Sequence, residues 1–327
     1  MESTKHPSGA PCELNGSGPV IRVADVAFPR FCAPDLDRME AFLLAFGMQR
    51  AARSETSLYM RGTDGGAPVH ATRLGEAAFA GLAFRAACRD DLQRLAAAAA
   101  TQVEATGEPG GGEVVHLLDP DGRVVDVVFG MTGPAAAGLR THPPLNNGSE
   151  RARIVTLQRI EAGPAQVKRF GHAALKTTRL AELSSWYRST LGLLVSDEVW
   201  LEEPGQPIGR FLRCDRGSEA ADHHTLLLLE APEAKLGHCA WEVADFDDLM
   251  VGRDHLLAGD YGARPYWGIG RHVLGGQIFD YWKDPFGFTV EHWTDSDLLR
   301  ADTAAGTHHV MQALNQWGPL PPPDLDF

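Results

Sequence analysis

Three residues of metal-ligating type fall in apolar, strand-like runs of the second half of the sequence: His172 in FGHAAL, His238 in LGHCAW and Glu291 in FTVEHW. They lie far apart in the chain, so no local loop links them and only a fold can bring them together. Two imidazoles and one carboxylate make a facial triad with open coordination positions, the arrangement of non-haem Fe(II) sites that handle dioxygen. Zinc hydrolases draw on the same ligand types, so ligand type alone does not select the reaction. Taken singly, any of the 13 histidines has an ordinary reading as a satisfied core residue. Their surroundings add weight. Asp222-His223-His224-Thr225 opens an apolar run, Gly270-Arg271-His272 follows His238, and Phe279-Asp280-Tyr281 precedes Glu291 across a KDPFG turn. These are acid, base and hydrogen-bond donor types disposed around a metal.

Positioning such scattered residues requires a repeated frame, and the two halves of the sequence share one order of elements. VIRVADVAF near residue 20 reads as a strand and DLDRMEAFLLAFGM as a helix ending at Gly47. Near residue 167, VKRFGHAAL and RLAELSSWYRSTLGL repeat the plan, with Gly192 as the stop. FAGLAFRA followed by RDDLQRLAAAAA parallels LGHCAWEVA followed by DFDDLMVGRDHLLAG. VVHLLDPDGRVVDVVFG likewise parallels QIFDYWKDPFGFTVEHW, each a strand, a DP-G turn and a strand. SLYMRG, PVHATRL, GRFLRCD and HTLLLLEA supply further short strands. The second half thus predicts two βαβββ units opening at Val167 and Leu236, and the first half a less sharply marked pair opening at Val20 and Phe79. Aligning the halves sets Asp25, Gly81 and Asp126 against His172, His238 and Glu291, so the first half lacks the imidazoles.

A chain of 327 residues suggests two domains or one large one. Composition shifts divide it into a disordered polar leader (1–18), an N-terminal domain with connector (19–150), a C-terminal metal-binding domain (151–300) and a tail (301–327). The connector, Pro134 to Gly163, starts rich in Pro, Gly and Asn and becomes more regular around Ile154 to Ile160; in the tail, HHVMQALNQW reads as a short helix before an extended Pro321–Pro323. Hydrophobic residues at 44% and charged residues at 22% are an ordinary globular balance. A net charge of −13 argues against nucleic acid and anionic membranes as partners. No run approaches the ~18–20 apolar residues of a membrane span. Five scattered cysteines without a CxxC, and a start with neither basic nor apolar signal character, fit a reduced, cytoplasmic setting.

GHAAL at 171–175, DHHTL at 222–226, LGHCAWEV at 236–243, GRH at 270–272 and FDYWKDPFGFTVEHWTD at 279–295 together resemble a known family. It is the type I extradiol catechol dioxygenases of the vicinal oxygen chelate superfamily, and the resemblance runs from about residue 20 to 295. It implies an α+β fold of tandem βαβββ modules, two per domain, each domain a half-open barrel around a cavity, with the metal kept only in the C-terminal one. Carried over residue by residue, it implies His172, His238 and Glu291 as ligands of Fe(II), with Mn(II) the other candidate. His224 takes the place of the acid–base histidine, His272 that of a substrate-contacting histidine, and Tyr281 that of the tyrosine that hydrogen-bonds a catecholate oxygen. Successive strand side chains face opposite ways, so only one of His223 and His224 can enter the cavity, and the motif register favours His224.

The resemblance further implies dioxygen as co-substrate and a small aromatic diol as substrate, opened beside the diol to a muconic semialdehyde-type product. A metal with two neutral imidazoles and one carboxylate keeps a net positive charge, which favours a bidentate catecholate. A homo-oligomer is expected. His223, Trp200 and Trp267 are further candidates for substrate contact, the two tryptophans because they fall in loop-like settings. Arg271 and Lys283 read as surface charges; were either to face the cavity, a substrate carboxylate would follow. His308 and His309 read as solvent-facing on the tail helix. Another metal-dependent enzyme of the superfamily, glyoxalase- or isomerase-like, would not need His224 and Tyr281, and a non-catalytic binding protein would not need the complete triad.

Overall fold

The computed structural model describes residues 18–136 and 143–322. Nearly all of the expected leader, including Cys12, lies outside them, as does Pro323. In the first half, β1 (Val23–Ala33), α1 (Leu36–Ala45), β2 (Gln49–Arg53), β3 (Ser57–Arg61) and β4 (Pro68–Leu74) form one βαβββ module. The second is β5 (Ala78–Ala86), α2 (Arg89–Ala98), β6 (Glu104–Ala105), β7 (Glu113–Leu118) and β8 (Val124–Phe129). The second half repeats this with β9 (Val167–Thr177), α3 (Leu180–Leu191), β10 (Leu194–Trp200), β11 (Pro207–Arg213), a two-residue β12 (Ala221–Asp222) and β13 (Leu226–Glu230). Its other module is β14 (Lys235–Val243), α4 (Phe246–Ala258), β15 (Arg264–His272), β16 (Ile278–Lys283) and β17 (Thr289–Thr294).

Local chemistry sets these boundaries. The Asp35 carboxylate accepts a hydrogen bond from the Arg38 amide at the start of α1, and Asp245 does the same for Asp248 at the start of α4. Gly192 ends α3 in the left-handed region at φ +74°, where a side chain would also press on the Ile21 carbonyl. In the DPFG turn, Asp284 accepts from the amides of Phe286 and Phe288 at 2.8 and 2.9 Å; in the matching DPDG turn, Asp119 accepts from Asp121 and Arg123 at 2.9 Å each.

The strands form an eight-stranded sheet in the order β2-β3-β4-β1-β5-β8-β7-β6. A ten-stranded sheet follows the same plan, with core order β10-β11-β13-β9-β14-β17-β16-β15. In each, the module-opening strands pair antiparallel at the centre, and the last strand of every module returns parallel to its first. That parallel return needs a crossover, which the helix supplies. One strand face feeds the core under the helices and the other lines a concave surface: on β9, Phe170, Ala173 and Leu175 join the main core while His172, Ala174 and Lys176 face the hollow. That core runs through both halves. Across them, the Trp241 indole donates to the Val69 carbonyl at 3.0 Å, and His292, stacked on Phe46 with centroids 3.7 Å apart, bonds the Phe46 carbonyl at 2.7 Å.

Two expectations fail. The stretch Ile154 to Ile160 forms neither helix nor strand and leaves Ile154, Val155 and Leu157 exposed. The run HHVMQALNQW is not a helix. After β18 (Leu298–Leu299), the tail makes β19 (Gly306–His309), a 3-10 turn over Val310–Gln312 and β20 (Asn315–Trp317). β19 pairs parallel with β10 and β20 antiparallel with β15, so one tail segment occupies both outer edges of the ten-stranded sheet. Both misreadings have this cause: a short helix is marginal on its own, whereas an open edge offers every backbone group a partner. The tail takes those edges, leaving none of the second sheet for residues 154–160. The four described cysteines are free thiols, and no helix among the described residues is long and apolar enough to cross a membrane.

Candidate metal centre and its cavity

His172 on β9, His238 on β14 and Glu291 on β17 come together because these strands are neighbours at the centre of the sheet. His172 Nε2 and His238 Nε2 lie 3.2 Å apart, and each is 3.3 Å from Glu291 Oε2. An ion with bonds of about 2.1 Å to each atom would make such a triangle, its edges falling between about 3.0 Å for an octahedral face and about 3.4 Å for a tetrahedral one. Glu291 is fully buried and neither of its carboxylate oxygens has a hydrogen-bond partner, a costly arrangement unless a cation completes it. Burial lowers both histidines to about 3, which keeps them as neutral imidazoles, the ligating form. Burial likewise raises Glu291, against the opposing pull of His238 and His272. These residues fit a divalent metal, and they are the one such cluster among the described residues.

A cavity of about 310 Å³ opens over the triad, a size suited to one small molecule. His224, Tyr281, His272 and Trp267 line it, with Phe211, Leu227 and Leu229 as apolar walls. The His224 ring sits 4.3 Å from that of His172, centroid to centroid. Burial, then the neighbouring imidazoles, hold His224 well below its ordinary value. Tyr281 pairs directly with Glu291 across β16 and β17, and burial beside that carboxylate raises its phenol well above the usual range, so it stays protonated. The Tyr281 hydroxyl lies 3.2 Å from His272 Nε2, while His272 Nδ1 lies 3.3 Å from the Leu314 carbonyl of the tail. Ala313 and Leu314 themselves line the cavity, so the tail covers part of it.

Two candidates stand outside. His223 does not line the cavity: it and His224 lie in the irregular link between β12 and β13, not on a strand as expected, so the local turn and not strand alternation separates them, with His223 Nε2 meeting Asp197 Oδ2 at 2.6 Å and its Nδ1 3.1 Å from His224 Nδ1. Trp200 ends β10 with its ring 4.7 Å from that of His309, away from the cavity. Neither tryptophan is in a loop, since Trp267 lies within β15, with its indole donating to the Pro319 carbonyl at 3.1 Å. His308 is on a strand, and its Nε2 lies 3.0 Å from Asp197 Oδ1. Burial would raise the Asp197 carboxyl, but the hydrogen bonds from His223 and His308 hold it below its ordinary value. Asp197, Lys176, Lys235 and the apolar wall went unseen in the sequence. A lone carboxylate or lysine on a strand carries no signal until its neighbours are known.

The first half contains the matching hollow without the ligands. Register sets Phe28, Gly81 and Asp126 where the second half has His172, His238 and Glu291, and His116 where it has Tyr281. The sequence alignment with Asp25 is therefore three residues off; Asp25 answers to Arg169, and the two form an ion pair at 3.7 Å. In place of an ion, Arg30 reaches Asp126 Oδ2 at 2.7 Å and also pairs with Glu108, while His116 Nδ1 meets Asp126 Oδ1 at 2.6 Å. A guanidinium thus supplies the charge that a metal would.

No family model matches the chain. Metapyrocatechase 2 of Cupriavidus necator is 33% identical over 297 residues, covering 88% of this chain and 86% of that one. Among solved structures, homoprotocatechuate 2,3-dioxygenase of Brevibacterium fuscum, in its anaerobic complex with 3,4-dihydroxyphenylacetate, superposes with a TM-score of 0.76 at 18% identity over 94% of this chain and 93% of that one. A Mn(II)-bound glyoxalase of Novosphingobium aromaticivorans does so with a TM-score of 0.74 at 23% identity, covering 93% and 94%. The 2,3-dioxygenase LapB of Pseudomonas sp. KL28 gives 0.70 at 18%, covering 89% and 98%. Identity and coverage of the Cupriavidus relative, on this shared fold, show that the chain belongs to the metapyrocatechase family of type I extradiol dioxygenases, enzymes of the vicinal oxygen chelate superfamily.

Proposed function

We propose that this enzyme opens the ring of a catechol beside its diol, with Fe(II) held by His172, His238 and Glu291 and dioxygen as co-substrate, giving a muconic semialdehyde-type product. The observation that supports it most is the convergence of three ligand atoms within 3.3 Å of one another under a cavity lined by His224 and Tyr281. When bound, Fe(II) supplies a positive centre for both catecholate oxygens and for dioxygen activation. The chain's own residues do the rest. His224, kept neutral by burial, accepts a proton from a catechol hydroxyl, and the same burial makes it ready to give that proton back later in the reaction. Tyr281, kept protonated, has one hydrogen to give: the phenol faces His272 Nε2, which accepts because His272 Nδ1 donates to the Leu314 carbonyl, and with substrate bound the phenol turns that hydrogen to the deprotonated oxygen instead. Phe211, Leu227 and Leu229 exclude water from the ring.

Anaerobic reconstitution with Fe(II), or in parallel with Mn(II), tests this. Catechol, 3-methylcatechol and 2,3-dihydroxybiphenyl are added in turn and dioxygen admitted. Oxygen uptake with a yellow ring-fission product is expected with the iron form. No uptake with any catechol, in protein carrying one metal per chain, overturns the reading.

A further inference from the structure

His223 stands outside the cavity but is hydrogen-bonded to the histidine inside it. Its Nδ1 lies 3.1 Å from His224 Nδ1 and its Nε2 2.6 Å from Asp197 Oδ2, while Asp197 Oδ1 lies 3.0 Å from His308 Nε2 on β19. Each of these atoms is used once, so a single row of hydrogen bonds runs from the cavity wall to the tail strand through His224, His223, Asp197 and His308. The two neighbouring histidines are buried, and His308 is partly exposed. The irregular link that carries the pair is pinned at three points. The His223 amide donates to the Asp297 carbonyl at 2.9 Å, Ser196 Oγ to the His223 carbonyl at 2.5 Å, and the Thr225 amide to the Leu212 carbonyl at 2.7 Å. The row is therefore fixed by the fold around it.

The two imidazoles stand in opposite electrostatic settings. His224 packs its ring 4.3 Å from that of His172, and among the described residues no aspartate or glutamate lines the cavity that it faces. An imidazolium there would be a buried cation beside the metal position, without a counter-ion. His223 has a carboxylate on its far nitrogen. Burial would raise Asp197, but the hydrogen bonds from His223 and His308 hold it below its ordinary value, so it is ionised and fit to pair with a cation. The nearby Arg213 guanidinium is engaged with Ser196 Oγ and with the Val195 and Thr303 carbonyls, which leaves both Asp197 oxygens to the two histidines.

From this we infer that His223, paired with Asp197, stores the proton that His224 collects from the substrate. The catechol O–H bond breaks and its proton joins His224 Nε2. The His224 Nδ1–H bond breaks in turn, and that proton joins His223 Nδ1, while the hydrogen on His223 Nε2 stays on its bond to Asp197. His224 ends neutral, as its other tautomer, and the positive charge rests on His223 against the carboxylate, outside the cavity. No electrons change hands, and reversing both transfers returns the proton to the cavity. This role rests on the ring-opening reading of the site and deepens it. His223 and Asp197 touch no substrate and act through His224.

Full-length protein loaded with Zn(II), which accepts the same ligands without redox chemistry, allows nitrogen NMR of labelled histidines with no turnover. A scalar coupling between His224 Nδ1 and His223 Nδ1 across their hydrogen bond is expected before substrate is added. With catechol bound, His223 is expected to carry hydrogen on both nitrogens and His224 on Nε2 alone. Bound catechol with both hydrogens on His224, or with neither ring changed, overturns the storage role and leaves ring opening intact. Failure of catechol to bind either the Zn(II) or the Fe(II) form refutes the ring-opening reading, and this role with it. In the iron-loaded enzyme, His223→Gln keeps a side-chain acceptor for His224 but holds no proton. Its kcat is expected to fall about 100-fold, the scale of one lost proton transfer, with KM and iron content unchanged. A kcat within two-fold of wild type overturns the role, and if the variant holds no iron the wild-type spectra decide.

Discussion

His223 Nε2 and Asp197 Oδ2 meet at 2.6 Å, and this contact decides which nitrogen of His224 is open to the cavity. A carboxylate only accepts, so the His223 tautomer that this contact selects carries its hydrogen on Nε2 and leaves Nδ1 as an acceptor. The nitrogen facing that acceptor, at 3.1 Å, is His224 Nδ1, which must therefore donate. His224 Nε2 is left with its lone pair free, the form a general base requires. Asp197→Asn offers an amide that can donate to His223 and reverse this order. Turnover is expected to fall about 10- to 100-fold, the scale of losing a group that orients a working histidine, with metal content and KM unchanged. Turnover equal to wild type would separate Asp197 from His224.

Gly171 is a packing requirement next to a ligand. A methyl group there would lie 2.4 Å from Cζ2 of Trp293, a buried ring with the Arg169 guanidinium 5.2 Å from its centre. Gly171→Ala must shift the indole or the strand that carries His172, at about 1–3 kcal/mol. A lower urea midpoint and weaker metal binding are expected together. An alanine variant with both unchanged would mean that the strand yields freely.

The site was legible where the chemistry is written in residue types. Two imidazoles, a carboxylate and a tyrosine stand in short strands flanked by turn signals, whereas the alternation expected to separate His223 from His224 does not apply, because both lie in the irregular link between β12 and β13. The module order was legible because apolar periodicity and turn glycines recur in both halves. What stayed hidden depends on distant neighbours. Asp25 looked equivalent to His172 until bulges and strand pairing set Phe28 there instead. HHVMQALNQW has helical spacing, but two free sheet edges lie within its reach. Asp197 gains meaning only from what faces it across the sheet.

His70 predicts an acid sensitivity seated in the half without the metal. It is buried, stacked on Phe31 at 5.2 Å between centroids, with its Nε2 2.6 Å from Thr72 Oγ1, and burial lowers it from 6.5 to about 3. Between those values the unfolded chain binds a proton that the folded chain refuses. Its contribution to stability is complete above pH 6.5 and is lost as pH falls toward 3, at about 1.4 kcal/mol per pH unit. The buried imidazoles of His172, His238 and His292 shift in the same direction, so metal-free protein is expected to weaken more steeply than one group allows. Urea midpoints of wild type and His70→Gln across this window isolate the single proton. Parallel curves would show that His70 is protonated in the folded state.

The tail predicts a separation between folding and substrate binding. Ending the chain at Ala305 removes β19, the turn and β20. It frees the edges of β10 and β15 and takes away the Leu314 carbonyl beside His272 and the Pro319 carbonyl beside Trp267. The triad strands keep their own pairings, and the main core draws nothing from residues beyond 305, so the shortened chain is expected to fold and hold metal. It loses one wall of the cavity and the anchor that orients His272 toward Tyr281. KM for a catechol is expected to rise about ten-fold, the equivalent of about 1.4 kcal/mol of binding, with a smaller loss in kcat. Two open strand edges should also promote self-association at high concentration. Circular dichroism and metal content establish that the shortened chain is folded, and steady-state kinetics and light scattering read the two effects. Unchanged KM in a folded, metal-loaded variant would show that the tail lies over the cavity without contributing to it.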